Sequence, residues 1–353
     1  YARLFYALRS AGSRSLGEWL DGRLRDRESP YAALAERGGE DPALEAAARR
    51  DIETFTLLAE LDWDQVLAEV GGKAPREYGP VLANLPRWRG SSPFSFAELT
   101  EFYRANGAGL FARHRAFLWE DGALCPVEQP DCPGADEMLG YELQRNRVIA
   151  NTRAMLEGNL VNNVLLYGDS GTGKSATVKN LLTLPGFEAL RLIEVQKEGL
   201  ADLPRLIRTL GGRRLKFILF IDDLAFDQDD KTYSALKTIL EGGLERRPAN
   251  VAVYATSNRR RLVRQTFSDR AGDEVDASET IQEKTSLSDR FGLRIPYLAL
   301  NQAEFLELVE GMAEQAGIAL DRDSLRAEAV KWEMRNPGRT PRTAKQFIAS
   351  LSL

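Results

Sequence analysis

A glycine-rich octapeptide, GDSGTGKS, lies between an apolar run and a helix-like run. Glycine lets the backbone curl so that successive N–H groups point inward at phosphate oxygens, and the following helix adds its positive end. In such a loop Lys174 reaches the β- and γ-phosphates and the hydroxyl of Ser175 ligates magnesium. The pattern predicts a nucleoside triphosphate site formed by Gly168, Asp169, Ser170, Gly171, Thr172, Gly173, Lys174, Ser175 and Ala176.

Two carboxylates follow a second apolar run, in KFILFIDDL. A P-loop fold needs an aspartate from a neighbouring strand in the magnesium shell, which makes Asp222 the predicted magnesium-associated residue beside Ser175. Asp223 is then placed to polarise the attacking water. The alternative is that Asp223 caps a helix or lies in a solvated turn. The acidic run at 227–230 is typical of a solvated loop.

Further polar residues fall where strands or helices begin or end. Asn258 ends the run VAVYATSN and is predicted to reach the γ-phosphate or the water. Arg290, in SDRFG, precedes the next strand-like run, and a salt bridge beside the sheet is its alternative role. Thr340 and Pro341 have the types of an N-cap and a first helical residue. They place Arg342 in the first turn, where a helix end and a guanidinium can jointly face phosphate.

The elements that must position these residues alternate between strand-like and helix-like runs. The strand-like runs are 162–167, 189–195, 216–221, 251–256 and 293–298. Such alternation indicates a parallel sheet covered by helices on both faces. From residue 301 only helices are predicted, and Asn301 with Glu304 forms a capping box. The predicted fold class is α/β, a P-loop core followed by a helical lid.

The first part of the sequence is predicted to be helical. Asp41-Pro42 is a helix start, and Ser95 with Glu98 forms another capping box. Gly71-Gly72 is predicted to end the first helical segment. The aromatic stretch LFARHRAFLWE, 110–120, is also typical of a helix.

A turn-rich connector, CPVEQPDCPG, predicts the first domain boundary. The expected domains are a helical N-terminal region at 1–132 for partner binding or regulation, a nucleotide-binding α/β domain at 133–300 and a helical lid at 301–353.

Composition argues against several other classes of protein. The sparse cysteines, Cys125 and Cys132, favour a reducing cytosol, and the single histidine, His114, leaves a zinc site short of ligands. The apolar runs are too short to span a membrane. A cytoplasmic protein is expected from the sparse cysteines. A net charge of −5 does not favour nucleic-acid binding. The basic cluster at 259–264 is typical of a solvated face, with nucleic acid or a neighbouring subunit as the alternative contact.

The ordered set GDSGTGKS, FILFIDDL, ATSN, SDRFG and GRTPRTAKQF resembles the AAA+ ATPases over about residues 138–353. The resemblance implies ATP or ADP and Mg²⁺ as cofactors. It implies Walker A at Lys174 and Ser175, Walker B at Asp222 and Asp223, sensor 1 at Asn258, an arginine finger at Arg290 and sensor 2 at Arg342, with Arg339 as the alternative sensor. Tyr141, in GYELQ, resembles the segment that helps enclose adenine. Longer strings, such as LIEVQKEGLADLP, are similar to a bacterial AAA+ family catalogued as a domain of unknown function.

Two departures from the AAA+ pattern bear on activity. Asp223 stands where the motor enzymes have glutamate, as it does in replication-initiator relatives that hydrolyse slowly and act as switches. The aromatic-hydrophobic-glycine loop of threading unfoldases is missing after LIEVQ, so a threading protease partner is not expected.

These features predict an ATPase that forms a homo-oligomer through Arg290 acting in trans, and that remodels, loads or regulates a macromolecular partner, a protein client of unknown identity. The alternatives are an ATP-dependent switch or scaffold with slow turnover and a nucleic-acid-associated loader.

Overall fold

The structure is a computed structural model that describes residues 2–73, 75, 77, 79–84, 95–225, 236–237, 239–240, 247–258, 287–336 and 338–351. The predicted basic cluster at 259–264 and the acidic run at 227–230 lie outside the described residues. The chain divides into two compact units, Tyr1–His114 and Arg115–Leu353. Within the described ranges, no helix combines the length and the apolar character needed to cross a membrane.

The first unit is helical, as predicted. Its helices are α1 Ala2–Ser10, α2 Leu16–Asp26, α3 Pro30–Arg37, α4 Pro42–Ala59, α5 Trp63–Lys73, α6 Gly79–Ala83, α7 Phe96–Asn106 and α8 Leu110–Arg113. Asp41 caps α4 and the Ser95–Glu98 capping box begins α7, which confirms both predicted starts. Helices α3, α4 and α7 bury Tyr31, Ile52 and Leu99 in one apolar cluster.

The predicted helix end at Gly71-Gly72 falls in the last turn of α5, which ends one residue later, at Lys73. A glycine ends a helix by adopting a positive φ, and neither of these two does so. The predicted segment is, however, two helices rather than one, with a break between Ala59 and Trp63. There the Asp62 carboxylate accepts the amides of Asp64 and Gln65 at 3.0 and 3.2 Å and starts α5 as a new helix.

The second unit is built on a seven-stranded sheet with the order β2-β1-β4-β5-β6-β3-β7. The strands are β1 Ala116–Glu120, β2 Ala123–Pro126, β3 Val164–Gly168, β4 Leu190–Val195, β5 Lys216–Ile221, β6 Val251–Ser257 and β7 Leu293–Tyr297. All the pairings are parallel except the β1–β2 hairpin. Every residue of β6 is buried, so both faces of the sheet are covered. The five predicted strands and their parallel arrangement are confirmed.

The stretch 110–120 differs from its predicted helix. Helix α8 stops at Arg113, and Ala116–Glu120 forms β1, which pairs in parallel with β4. Phe117 and Trp119 are buried in this strand rather than on a helix face. The division between the units therefore falls at His114 and Arg115, earlier than the expected boundary after residue 132, because β1 and β2 extend the sheet.

Six helices described in the second unit surround the sheet or form the lid. They are α9 Glu142–Leu156, α10 Lys174–Asn180, α11 Leu203–Leu210, α12 Gln302–Gln315, α13 Arg322–Arg335 and α14 Pro341–Leu351. The predicted capping box of Asn301 and Glu304 begins α12. Helices α12, α13 and α14 bury Phe305, Leu325 and Phe347 in a cluster of their own, which confirms the predicted helical tail.

Candidate nucleotide-binding site

The loop between β3 and α10 has the backbone of a phosphate cradle. Gly168, Gly171 and Gly173 have φ values of 136°, 78° and 89°, a region that L side chains rarely adopt. A Cβ on Gly168 would lie 2.1 Å from the carbonyl oxygen of Tyr297 in the neighbouring strand. Glycine is therefore required there by both conformation and space.

Lys174 lies folded against this loop. Its Nζ donates to the carbonyl oxygens of Gly168 at 3.2 Å and Asp169 at 2.6 Å, and the residue is only 6% exposed. Burial lowers the pKa of Lys174, while the carboxylates of Asp169, Asp223 and Asp222 oppose that shift. The ammonium is thus held at the cradle, where a phosphate can replace the carbonyl oxygens as its partner.

Ser175 and Asp222 meet as predicted. The Ser175 hydroxyl donates to Asp222 Oδ1 at 2.6 Å, because α10 begins above the carboxyl ends of β3, β6 and β5. In the part of the chain that the structure describes, no group of three or more His, Cys, Asp or Glu can hold a metal by itself. One hydroxyl and one carboxylate suit Mg²⁺, which usually keeps its waters and takes substrate phosphates as further ligands.

Asp223 also pairs with a predicted neighbour. Its carboxylate Oδ1 accepts from Asn258 Nδ2 at 2.8 Å, so the ends of β5 and β6 bring the two side chains together. Asp223 is exposed and lies in a turn with φ 50°, which agrees with the alternative of a turn residue. Its side chain nevertheless contacts Asn258 rather than solvent alone. The pair is arranged to hold a carboxylate near the phosphate cradle.

The lid contacts the loop through the first turn of α14. The amide of Arg342 donates to the carbonyl of Gly171 at 3.2 Å, and Arg342 Nη1 lies 3.4 Å from Ser170 Oγ. Thr340 accepts the amide of Thr343 at 3.3 Å, in agreement with its predicted N-cap role. Arg339, by contrast, pairs with Glu333 at 3.3 Å, so Arg342 is the arginine that faces the loop.

Tyr141 forms part of the wall. Its ring stacks on Tyr297 with centroids 5.1 Å apart, and its phenol donates to the carbonyl of Leu298 at 2.6 Å. Burial is the main cause that raises the pKa of Tyr141. The side chain is thus fixed, and its predicted role beside adenine stays a prediction.

These groups surround one cavity of about 680 Å³. The predicted residues that line it are Tyr141, Ser170, Gly171, Thr172, Gly173, Lys174, Ser175, Ala176, Asp222, Asp223, Asn258 and Arg342. Gly168 and Asp169 lie behind the lining. The Asp169 amide donates to Tyr297 O at 2.9 Å and its Oδ2 accepts the Ala299 amide at 2.7 Å.

Arg290 is half-buried in the turn before β7, and it is not among the described residues that line the cavity. The sequence also missed lining residues, including Thr256, Arg145 and Lys345. Lys345 could have been found from its spacing, since a residue three positions after Arg342 shares its helix face. Thr256 could not, because its place depends on the strand register.

The sheet, the phosphate loop with its paired carboxylate and the helical lid define the fold class: the chain has the AAA+ form of the P-loop α/β fold. The family described as "Protein of unknown function (DUF815)" matches residues 112–352. The chain belongs to this family. A search of curated proteins finds no match.

Among solved structures, the chain is similar to the Thermotoga maritima RuvB Holliday junction branch migration motor, with 17% identity and a TM-score of 0.40 over 62% of this chain and 63% of that one. It is also similar to the Aeropyrum pernix Orc1 protein in complex with DNA, with 18% identity and a TM-score of 0.40 over 59% and 58% of the two chains. The chain spans less than two thirds of the length of either structure.

Proposed function

We propose that this protein binds and hydrolyses ATP with Mg²⁺, and that it assembles into a homo-oligomer that remodels, loads or regulates a protein partner. One observation carries the hydrolytic part. The Ser175–Asp222 hydrogen bond of 2.6 Å and the Asp223–Asn258 hydrogen bond of 2.8 Å lie in the same cavity as the phosphate loop. A metal-associated pair and a water-orienting pair are the two parts that ATP hydrolysis requires beside a P-loop.

Each residue has a role in this proposal. Lys174 and the loop amides bind the phosphates, and Arg342 adds a cation from the lid. Bound Mg²⁺ supplies neutralisation of the phosphate charge. Asp223 orients the attacking water, and Asn258 holds the Asp223 carboxylate in place. The first unit, with its helices, is the proposed region for partner binding or regulation.

Phosphate release by the purified protein tests the activity. We expect release that requires ATP and Mg²⁺ and that is lost in Lys174→Ala. Parallel measurement of ATP binding by calorimetry separates a binding defect from a catalytic one. Mg²⁺-independent release, or release that persists in Lys174→Ala, would show that another site or a contaminant is responsible.

Arg290 is proposed to act on the ATP of a neighbouring subunit, where its charge would stabilise the phosphoryl-transfer transition state. Arg290 is not among the described residues that line the cavity of its own subunit, and this supports a role at the site of a neighbouring subunit. We expect Arg290→Ala to bind ATP normally and to turn over slowly. A mixture of Arg290→Ala and Lys174→Ala should regain part of the turnover, because each subunit supplies what the other lacks. Normal turnover in Arg290→Ala would remove the role.

A slow switch or scaffold is the second candidate, and the Asp223–Asn258 pair favours it. Aspartate is one methylene shorter than the glutamate of the motor enzymes, and its carboxylate is already engaged by an amide. Under this proposal Asp223→Glu should raise turnover. A pull-down with Asp223→Asn, which is expected to hold ATP, is the way to capture the partner in either case.

A further inference from the structure

Thr256 lies in a strand whose side chains are all buried, and it is itself 1% exposed. Its hydroxyl bonds two residues at the end of the next strand. It donates to Asp222 Oδ1 at 2.5 Å and accepts the amide of Asp223 at 2.9 Å. Buried hydroxyl groups in proteins are almost always hydrogen-bonded. The unusual feature is that both partners belong to the carboxylate pair.

The direction of each hydrogen bond follows from chemistry. An amide only donates, so the Thr256 hydroxyl accepts from Asp223 and uses its single proton on Asp222. Asp222 Oδ1 also accepts from Ser175 at 2.6 Å. Two hydroxyl groups therefore direct their protons to the same oxygen. They hold one oxygen of the carboxylate, and Oδ2 would then be the oxygen available to a cation.

The backbone of Asp223 depends on the same hydroxyl. Asp223 has φ 50°, a conformation that is unfavourable for a residue with a side chain. Its amide is held by Thr256 and, more weakly, by Asp222 Oδ1 at 3.2 Å. This amide orients the Asp223 backbone, and the backbone carries the carboxylate that meets Asn258.

The neighbouring residue gives an internal contrast. Ser257 is also buried, but its hydroxyl donates to the main-chain carbonyl of Leu224 at 2.8 Å. One strand thus places two buried hydroxyl groups side by side. One of them satisfies the backbone, and the other bonds the two aspartates. Thr256 is also the stiffer residue, since a β-branched side chain has few χ1 rotamers.

We infer that Thr256 is a positioning residue of the hydrolytic site, which sets Asp222 for the magnesium ion and Asp223 for the water through one hydroxyl. This inference rests on the proposed function, and it concerns a residue of the cavity wall that acts through Asp222 and Asp223. Removing an outer partner of a metal ligand typically costs about 10- to 100-fold in metal affinity or activity. We expect loss of the Thr256 hydroxyl to lower the affinity for Mg²⁺ by about this factor. Nucleotide affinity in the absence of metal should not change.

The test compares Thr256→Val, which removes the hydroxyl and keeps the branched shape, with Thr256→Ser, which keeps the hydroxyl. ATP binding is measured by calorimetry in EDTA and at rising Mg²⁺ concentrations. Turnover is measured across the same Mg²⁺ series. Thr152→Val is the matched control. Thr152 is fully buried, its hydroxyl bonds Val148 O and the Tyr254 phenol, and it does not line the cavity.

We expect Thr256→Val to need about 10- to 100-fold more Mg²⁺ for its half-maximal effect on ATP affinity. Its affinity in EDTA should equal that of the wild type, and its kcat should fall while KM for ATP at saturating Mg²⁺ changes little. Thr256→Ser should restore the Mg²⁺ response, and Thr152→Val should alter only the unfolding temperature.

Two results would overturn the inference alone. One is a Thr256→Val protein with the wild-type Mg²⁺ response, and the other is a Thr256→Ser protein as impaired as Thr256→Val. If Thr256→Val does not fold, Thr256→Ser still tests the inference. The inference requires Thr256→Ser to fold and to show the wild-type Mg²⁺ response. A wild-type protein whose ATP binding ignores Mg²⁺ would overturn the proposed function as well.

Discussion

The phosphate loop, Gly168–Ser175, and the carboxylate edge, which comprises Asp222, Asp223, Thr256 and Asn258, are two halves of one cavity built in different ways. The loop is a run of consecutive residues, and the positive φ values of its glycines determine the shape of its main chain. The edge joins side chains from two strands, with hydrogen bonds between residues 33 to 35 positions apart. Local sequence determines the first half, and strand register determines the second.

This difference predicts different consequences for mutation. A change in the loop alters the groups that meet phosphate, so nucleotide binding itself should suffer. A change at the edge leaves the cradle intact and disturbs the metal and the water. Binding should then survive while the magnesium response and turnover change. Variants in each part of the cavity test this separation.

The largest effect is expected for Lys174→Ala. It removes the buried cation of the loop, and loss of one preorganised electrostatic partner typically costs about 100- to 1,000-fold in rate. Here ATP affinity should fall together with turnover. Lys179→Ala makes the same change on the same helix, away from the described cavity lining, and should bind ATP normally. Wild-type affinity in Lys174→Ala would contradict the assignment of the loop.

Asp223→Asn is the matching change at the edge. It keeps the size of the side chain and removes the charge that orients the water, and loss of such a group typically costs about 100-fold or more in rate. Single-turnover hydrolysis should fall by that amount, with ATP affinity unchanged. If affinity falls in parallel with the rate, the two halves do not act separately and the comparison fails.

The sequence predicted the loop and most of the edge for different reasons. Glycines and a lysine at fixed spacing identify the loop directly, and one capping box identifies the start of α12 just as locally. Asp222 and Asn258 were found because each follows a strand-like run. Their partner Thr256 was missed, because its position opposite Asp222 follows from the register that pairs Ile221 with Ala255.

The same physics explains the missed strand β1. Its residues, AFLWE, are separated from the end of helix α8 by two residues and show no alternation, so a helical interpretation fits them when they are taken alone. What makes them a strand is pairing with β4, where Phe117 lies opposite Ile193. That contact is distant in sequence, but the pairing with β2 is local. Asp121 and Gly122, both at positive φ, form the tight turn of the hairpin, and Asp-Gly at this position is a local signal that the helical prediction overlooked. The division into compact units accordingly falls before β1, between His114 and Arg115.

A smaller effect is expected for Gly171→Ala, which tests the conformation of the loop. A side chain at a left-handed φ costs about 1–2 kcal/mol. Gly212 has a similar φ of 76° with open space around it, whereas a Cβ on Gly171 would lie 2.9 Å from Arg342 Cβ, on the lid. Gly212→Ala therefore measures the conformational cost of a side chain at positive φ, without a steric contact.

In denaturant unfolding, Gly171→Ala should be less stable than Gly212→Ala, and only Gly171→Ala should also lose ATP affinity. Equal losses of stability and equal affinities would mean that the lid does not press on the loop.

The smallest change, Asp169→Asn, tests a side chain of the loop that does not line the cavity. Asp169 Oδ2 accepts the Ala299 amide at 2.7 Å, where the chain leaves β7 for the lid. Asparagine keeps an oxygen acceptor for that exposed hydrogen bond, so the free energy of unfolding should change by less than about 1 kcal/mol. The charge, however, is lost beside Lys174. Burial already lowers the pKa of Lys174, and the Asp169 carboxylate is the leading group that opposes the shift.

In Asp169→Asn the Lys174 pKa should therefore fall further. Lysine binds phosphate in its charged form, below its pKa, so ATP affinity falls as pH rises through that value. The fall should begin at a lower pH in Asp169→Asn than in the wild type, as measured by calorimetry across an alkaline series. Asp169→Ala should show the same shift together with a loss of stability, which separates the charge from the hydrogen bond. Superimposable pH profiles would show that the Asp169 carboxylate does not affect the Lys174 pKa. The loop would then bind phosphate through its main chain and lysine alone.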